Sequence, residues 1–100
     1  MYKFKETKNA LKDWEKIKSM SKSVKAKFKY FIVDILENPR NLNTVGNPEQ
    51  LKYTEKETWS RELTKKDRIV YCIENGFDYN MPEENEIIVF YQYLGHFQDK

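Results

Sequence analysis

Ser23-Val24-Lys25-Ala26-Lys27-Phe28-Lys29-Tyr30-Phe31-Ile32-Val33-Asp34-Ile35-Leu36-Glu37-Asn38-Pro39 is the stretch on which the fold turns. Val24, Phe28, Phe31, Ile32, Ile35 and Leu36 recur at i, i+4, i+7, i+8, i+11 and i+12, the spacing of one helical face. Ser21 or Ser23 can cap its start, and Asn38-Pro39 ends it, because the residue before proline avoids the α region. Upstream, Ala10, Leu11, Trp14 and Ile17 fall at helical spacing from about Thr7, with lysines on the other face. Ser19-Met20-Ser21 is a short break, so the two helices form a hairpin whose lysines share its outer surface. Before them, Tyr2-Lys3-Phe4-Lys5 alternates as a short strand does.

Downstream, residues 38–50 read as a loop, rich in Asn, Pro and Gly. Three strands follow: Thr58–Leu63, Arg68–Ile73 and Glu86–Leu94. The last is apolar on both faces, which suits a central strand. Lys65-Lys66-Asp67 is a tight connection, and Asn75 to Asn85 a longer acidic one. Links this short join antiparallel neighbours. The expected fold is α+β: an N-terminal strand, a two-helix hairpin, then a three-stranded antiparallel meander packed on the helices. One hundred residues make a single domain, 1–100.

Composition narrows the function. Aromatic residues make up 15% of the chain, enough for a small core and too many for a disordered chain. No run approaches the ~20 apolar residues of a membrane span, so no membrane partner is expected. Met1 to Glu6 has no apolar segment of a signal peptide. One cysteine, Cys72, cannot form an internal disulfide and fits a reducing cytosol, hence a cytoplasmic location. With one histidine, His96, it cannot make a Cys/His zinc site, and three scattered glycines make no phosphate-cradling loop. No cofactor is expected. Residues 1–30 hold ten lysines against Glu6, Asp13 and Glu15, whereas residues 31–100 hold eight basic and thirteen acidic residues. So lopsided a charge suits either a solvated helix surface or a phosphate backbone.

Glu49, Arg61, Arg68 and His96 stand at loops and element ends, where rigid sheets often carry their sites. Such a set can cleave RNA without a cofactor. A base takes the 2′-OH proton, a cation steadies the extra phosphate charge, and an acid protonates the leaving 5′-oxygen. DNA lacks the 2′-OH, so the chemistry selects RNA. Each residue also has a plainer reading. Glu49 can be a solvated loop carboxylate and His96 a surface histidine. Arg61 and Arg68 can be cross-strand partners of Glu62, Asp67 or a neighbour. Trp14, Trp59, Tyr91 and Tyr93 can be packing.

Four segments together carry a resemblance: Gly46-Asn47-Pro48-Glu49-Gln50-Leu51-Lys52, Trp59-Ser60-Arg61-Glu62-Leu63, Asp67-Arg68-Ile69-Val70-Tyr71 and Leu94-Gly95-His96-Phe97. In order and spacing, over residues 1 to 97, the chain resembles the YoeB/Txe group of the RelE/ParE toxin superfamily. The resemblance implies the RelE-like microbial RNase fold and a ribosome-dependent mRNA endonuclease, the toxin of a type II toxin–antitoxin pair. By motif, Glu49 resembles the general base, Arg68 the residue that stabilises the transition-state phosphate, and His96 the general acid. Lys52 and Arg61 resemble phosphate contacts, and Phe97 stands where the family commonly has a tyrosine, able to stack on a base. The lysine-rich hairpin, with Lys12, Lys16, Lys22, Lys25 and Lys29, would then face ribosomal RNA. The implied partners are the ribosome with its mRNA, a cognate antitoxin of the YefM, Axe or Phd kind, and a second copy in a homodimer. The alternative is a non-catalytic binder, either a gyrase-directed toxin of the ParE branch or a degenerate chain that only binds antitoxin or RNA. The acidic connection 75–85 is expected to point away from RNA, and the chain continues past the aromatic residue through Gln98-Asp99-Lys100.

Overall fold

Thr7 and Ser21 open the two helices by the same chemistry. Their side-chain oxygens accept from the backbone N–H three residues on, Ala10 at 3.2 Å and Val24 at 3.3 Å. Each bond satisfies a donor that the first helical turn cannot pair internally. In this computed structural model, which describes residues 1–52, 54–76 and 86–96, the helices are α1 (Lys8–Ile17) and α2 (Lys22–Glu37). Ser23 therefore lies inside α2. Pro39 follows its end, and its carbonyl accepts from the buried Tyr71 hydroxyl at 2.7 Å. That bond pins the helix exit to the sheet.

The strands are β1 (Lys3–Glu6), β2 (Glu49–Leu51), β3 (Glu57–Glu62), β4 (Arg68–Asn75) and β5 (Glu86–Gln92), in the spatial order β1-β5-β4-β3-β2. β3, β4 and β5 form the expected antiparallel meander. β1 lies parallel to β5, with Phe4 opposite Ile88, so β5 has a neighbour on each side. Strand bounds differ from the sequence reading: β3 runs from Glu57 to Glu62 rather than from Thr58 to Leu63, β4 continues to Asn75, and two further differences bear on the site. The loop stops before Glu49, because Glu49–Leu51 pairs antiparallel with β3 and puts Glu49 opposite Ser60; a strand of three residues is too short to show a period. β5 ends at Gln92 rather than Leu94. The N–H groups of Tyr93 and Leu94 donate to Asp13 Oδ2 of α1, at 3.0 and 3.2 Å, and leave the sheet ladder.

Strand alternation assigns the two faces of the sheet. Trp59, Ile69, Tyr71, Ile88 and Phe90 join Ala10, Ile17, Phe28, Phe31 and Ile35 in one apolar core under the helices. Trp14 stacks on Phe28, with centroids 5.5 Å apart, and closes the α1–α2 seam. The residues between those core positions (Thr58, Ser60, Val70 and Cys72) point to the other face, which carries no helix among the described residues. At one end of the sheet Arg40 spans Glu57 and Glu86, at 2.7 Å to each, and Glu57 also accepts from Trp59 Nε1. Among the described residues, no helix is long and apolar enough to cross a membrane. Residues 77–85 of the acidic connection, Phe97 and the segment Gln98-Asp99-Lys100 lie outside the described residues.

Candidate active site

The loop that delivers Glu49 is held against α2. Thr44 Oγ1 donates to Asp34 Oδ2 at 2.9 Å, and the Gly46 carbonyl accepts from Glu62 N at 2.7 Å. Gly46 has φ +87°, and a Cβ there would stand 2.5 Å from Phe31 Cε2. Only glycine meets both conditions. Asn47 follows with φ 47°, its side-chain amide donating to Glu62 Oε2 at 3.2 Å. Two residues later Glu49 begins β2 on the helix-free face.

Arg68 enters the same face from β4. Its Nε and Nη2 donate to Ser60 Oγ at 3.1 and 2.9 Å, and Nη2 lies 3.6 Å from Glu49 Oε2. Ser60, opposite Glu49 on one side and Val70 on the other, is the post that aims the guanidinium. Glu49 keeps 64% of its side chain exposed and Arg68 24%, so this carboxylate–guanidinium pair is open to a ligand.

The segment bearing His96 is stitched to the same place. Arg68 N donates to the Gly95 carbonyl at 2.9 Å, and Gly95 N donates to Asp67 Oδ1 at 2.8 Å. Gln92 Nε2 spans the Arg68 and Gly95 carbonyls at 3.2 and 3.1 Å. Gly95 turns at φ +90°, and His96 follows, exposed. Backbone pairing thus brings the histidine's segment, remote in sequence, beside Arg68.

Other expected residues lie elsewhere. Arg61 is not a cross-strand partner or an open phosphate contact: it is fully buried on the helix side, its Nη1 donating to Asp34 of α2. The cause is register, since Ser60 faces the open side and its neighbour must face the core. Lys52 is exposed just past the end of β2. Lys12, Lys16, Lys22 and Lys29 are exposed on the helix layer, and Lys25 is half-buried with Nζ 3.5 Å from the Lys18 carbonyl. The helices cover the face opposite Glu49 and Arg68, so the basic surface and the carboxylate–guanidinium pair look in opposite directions. Ser60, Asp67, Gln92 and Asp13 were not singled out from sequence; each looks like an ordinary polar residue until the register shows what it holds. Among the described residues, no three His, Cys, Asp or Glu side chains gather as a metal-binding group. Burial pushes the Cys72 and Tyr91 side chains up from their usual pKa values, which keeps the floor of this face neutral.

Residues 6–89 match the family described as the YoeB-like toxin of bacterial type II toxin-antitoxin systems. Comparison with curated protein sequences gives no match. Among solved structures, the fold is similar to a YoeB/ParE toxin from Agrobacterium tumefaciens, at TM-score 0.74 and 23% identity over 95% of this chain and 99% of that one. It is also similar to a YoeB dimer from Staphylococcus aureus, at TM-score 0.71 and 21% identity over 96% and 98%. A YoeB–YefM toxin–antitoxin heterotetramer from Staphylococcus aureus aligns at TM-score 0.68 and 22% identity, over 97% of this chain and 99% of that one. At such identities the likeness is one of fold.

Proposed function

The chain belongs to the YoeB-like toxins of bacterial type II toxin–antitoxin systems, and from that premise we propose that it is a ribosome-dependent endoribonuclease that cuts mRNA in the A site and so stops translation. The observation that carries the reading is the Glu49–Arg68 pair, 3.6 Å apart and open to solvent, with the Gly95–His96 turn bonded to the Arg68 backbone.

In the proposed reaction Glu49 takes the proton of a ribose 2′-OH. The 2′-oxygen attacks the adjacent phosphorus, and the bond from phosphorus to the 5′-oxygen breaks. His96 gives a proton to that leaving oxygen. The products are a 2′,3′-cyclic phosphate and a 5′-hydroxyl. Arg68 steadies the charge gathering on the phosphate oxygens. Two of its five N–H donors are engaged by Ser60, which fixes the guanidinium plane in advance, and the rest can serve the phosphate. Nothing but these groups and the substrate's own hydroxyl takes part, so RNA is cut and DNA is not.

The two-sided charge supports ribosome dependence. The lysines of the helix layer suit ribosomal RNA, while the message lies on the opposite face. Lys52 and Phe97, by their places in the family's motif, would touch the message near the cut. The family places an antitoxin beside the toxin, and the Staphylococcus aureus relatives are a YoeB–YefM complex and a YoeB dimer. A YefM-like antitoxin and a homodimer are accordingly the proposed partners. The test is a purified translation reaction read by primer extension on a defined message. Cleavage that requires ribosomes and disappears in His96→Ala and Glu49→Gln is the expected result. Full cleavage by both variants would overturn the assignment, and inhibited gyrase with normal translation would favour a ParE-like poison.

A further inference from the structure

Beyond the Ser60–Arg68 cluster, the helix-free face holds a cavity of about 350 Å³. Thr58, Val70 and Cys72 form its floor, and Tyr91, Gln92, Glu55 and Lys56 line its sides. Register fixes its relation to the candidate active site. Glu49, Ser60, Val70 and Gln92 make one row across the sheet, and Leu51, Thr58, Cys72 and Val89 make the next row of that face. The rows are two residues apart along β2, β3 and β4, or ~6.8 Å, and a bulge opposite Val70 and Tyr71 makes the step three residues on β5. That is the separation between a phosphate and the base of its own nucleotide. A strand of RNA with a phosphate at Arg68 would carry a base directly over the cavity.

The lining is built for a base rather than for a phosphate. Val70 is 1% exposed and Cys72 5%, so the floor is uncharged and, apart from the Thr58 hydroxyl, apolar. The one cation at the rim, Lys56, donates to Glu74 at 2.9 Å, and the Tyr91 hydroxyl donates to the same carboxylate at 3.1 Å. A phosphate would meet that carboxylate; a neutral ring would not suffer by it. Proteins that read single-stranded RNA seat unstacked bases on aromatic side chains and bond their edges. Tyr91 supplies the ring. The edge groups are acceptors. Thr58 Oγ1 donates its proton to the Lys56 carbonyl at 3.0 Å and accepts from Cys72 Sγ at 3.1 Å, which leaves one lone pair for a ligand. Gln92 has its amide nitrogen committed to the Arg68 and Gly95 carbonyls, which leaves its carbonyl oxygen to offer.

From this juxtaposition we infer that the cavity is a nucleobase subsite next to the phosphate held by Arg68, and that it favours a base with an exocyclic amine over uracil. The inference rests on the ribonuclease reading for its substrate and adds where base preference is read. Gln92 gives it a consequence. The side chain that lines the cavity also ties Arg68 to the turn bearing His96, so filling the cavity bears on the brace of the reacting groups.

The test uses the full chain carrying Glu49→Gln, with the methyl groups of Val70 and Thr58 observed by NMR while AMP, CMP, UMP or ribose 5-phosphate is added. The expected result is a shift of both methyl signals by AMP and CMP, a several-fold weaker response to UMP, and none from ribose 5-phosphate. Tyr91→Leu should weaken AMP binding about tenfold. Thr58→Val, nearly isosteric, should reduce the preference for amine-bearing bases, with a fall of only several degrees in melting temperature from the lost bond to the Lys56 carbonyl. Shifts confined to the surroundings of Arg68, or equal responses to all four compounds, would overturn the inference. So would silence toward nucleotides with shifts only on adding an antitoxin peptide. Primer extension with the unmodified chain separates the two claims. Cleavage with no nucleotide response at Val70 defeats the subsite and spares the nuclease; a nucleotide response without cleavage does the reverse.

Discussion

Removing the carboxylate of Asp34 should damage this protein more than removing any lysine. Arg61 is fully buried, and Asp34 Oδ2 is the carboxylate oxygen it reaches; its Nε and Nη2 have no hydrogen-bond partner among the described residues. Asp34→Leu would leave a guanidinium with no counter-charge inside the core. Breaking a buried pair in this way costs about 3–5 kcal/mol. For a domain of this length that corresponds to a loss of about 15–30 °C in melting temperature. Arg61→Met should cost less, because Asp34 is 24% exposed and retains its bond from Thr44. The double variant Arg61→Met/Asp34→Leu should recover to within about 1–2 kcal/mol of the original, since an apolar pair of similar volume removes both desolvation costs. The assay is urea unfolding of all four proteins in a Glu49→Gln background, giving a coupling energy of about 2–3 kcal/mol. Additive single effects, or an Asp34→Leu protein as stable as its parent, would refute the buried-pair account. A stable Arg61→Met protein with a large loss of RNA affinity would return Arg61 to the role of phosphate contact.

Gly46→Ala should destabilise by about 1–3 kcal/mol, through positive φ and the contact with Phe31; thermal melting measures this, and cleavage should fall further because the same loop delivers Glu49. Acid should weaken the fold through Glu57 and Glu86, whose carboxyls the Arg40 guanidinium holds below their usual range. With folded values lowered, that stability is complete above the ordinary carboxylate pKa of about 4.3 and drains as pH falls through the depressed values, so Arg40→Gln should flatten the acid limb of stability against pH. Burial pushes the Tyr71 hydroxyl up to about 12. Its stabilising effect is intact below the ordinary tyrosine value of about 10 and is lost as pH rises from there through the folded value, and Tyr71→Phe should remove that alkaline loss. Replacing Lys16, Lys22 and Lys29 by Gln should weaken ribosome binding and lower the slope of log affinity against log salt by about 2, at 0.7–0.9 per phosphate contact.

Periodicity carried most of the fold. The face through Val24, Phe28, Phe31 and Ile35 fixed α2; of the two serines that could cap it, Ser21 does, and the Thr7 cap of α1 emerged only from the structure. β2 was hidden because three residues have no measurable period, and it became a strand only through pairing with β3. The early end of β5 was hidden for another reason: Asp13, on a helix some eighty residues away in sequence, takes the N–H groups that would have continued the ladder. At the candidate site, motif named Glu49, Arg68 and His96 as candidates, and their neighbours came from structure alone. Arg61 stands beside Ser60 in one quoted segment, yet strand alternation sends one to the core and the other to the open face. A linear motif does not state which face a residue takes until its register is known.

The central claim is that this chain uses an RNA's own 2′-hydroxyl as the nucleophile at the Glu49–Arg68 pair. The most direct measurement replaces the single nucleotide 5′ of the cut by its 2′-deoxy counterpart in a message bound to ribosomes. The account predicts cleavage of the all-ribose message, with a 5′-hydroxyl on the downstream fragment, and an intact deoxy-substituted message at that position. Cutting of the deoxy-substituted bond at a comparable rate would contradict it.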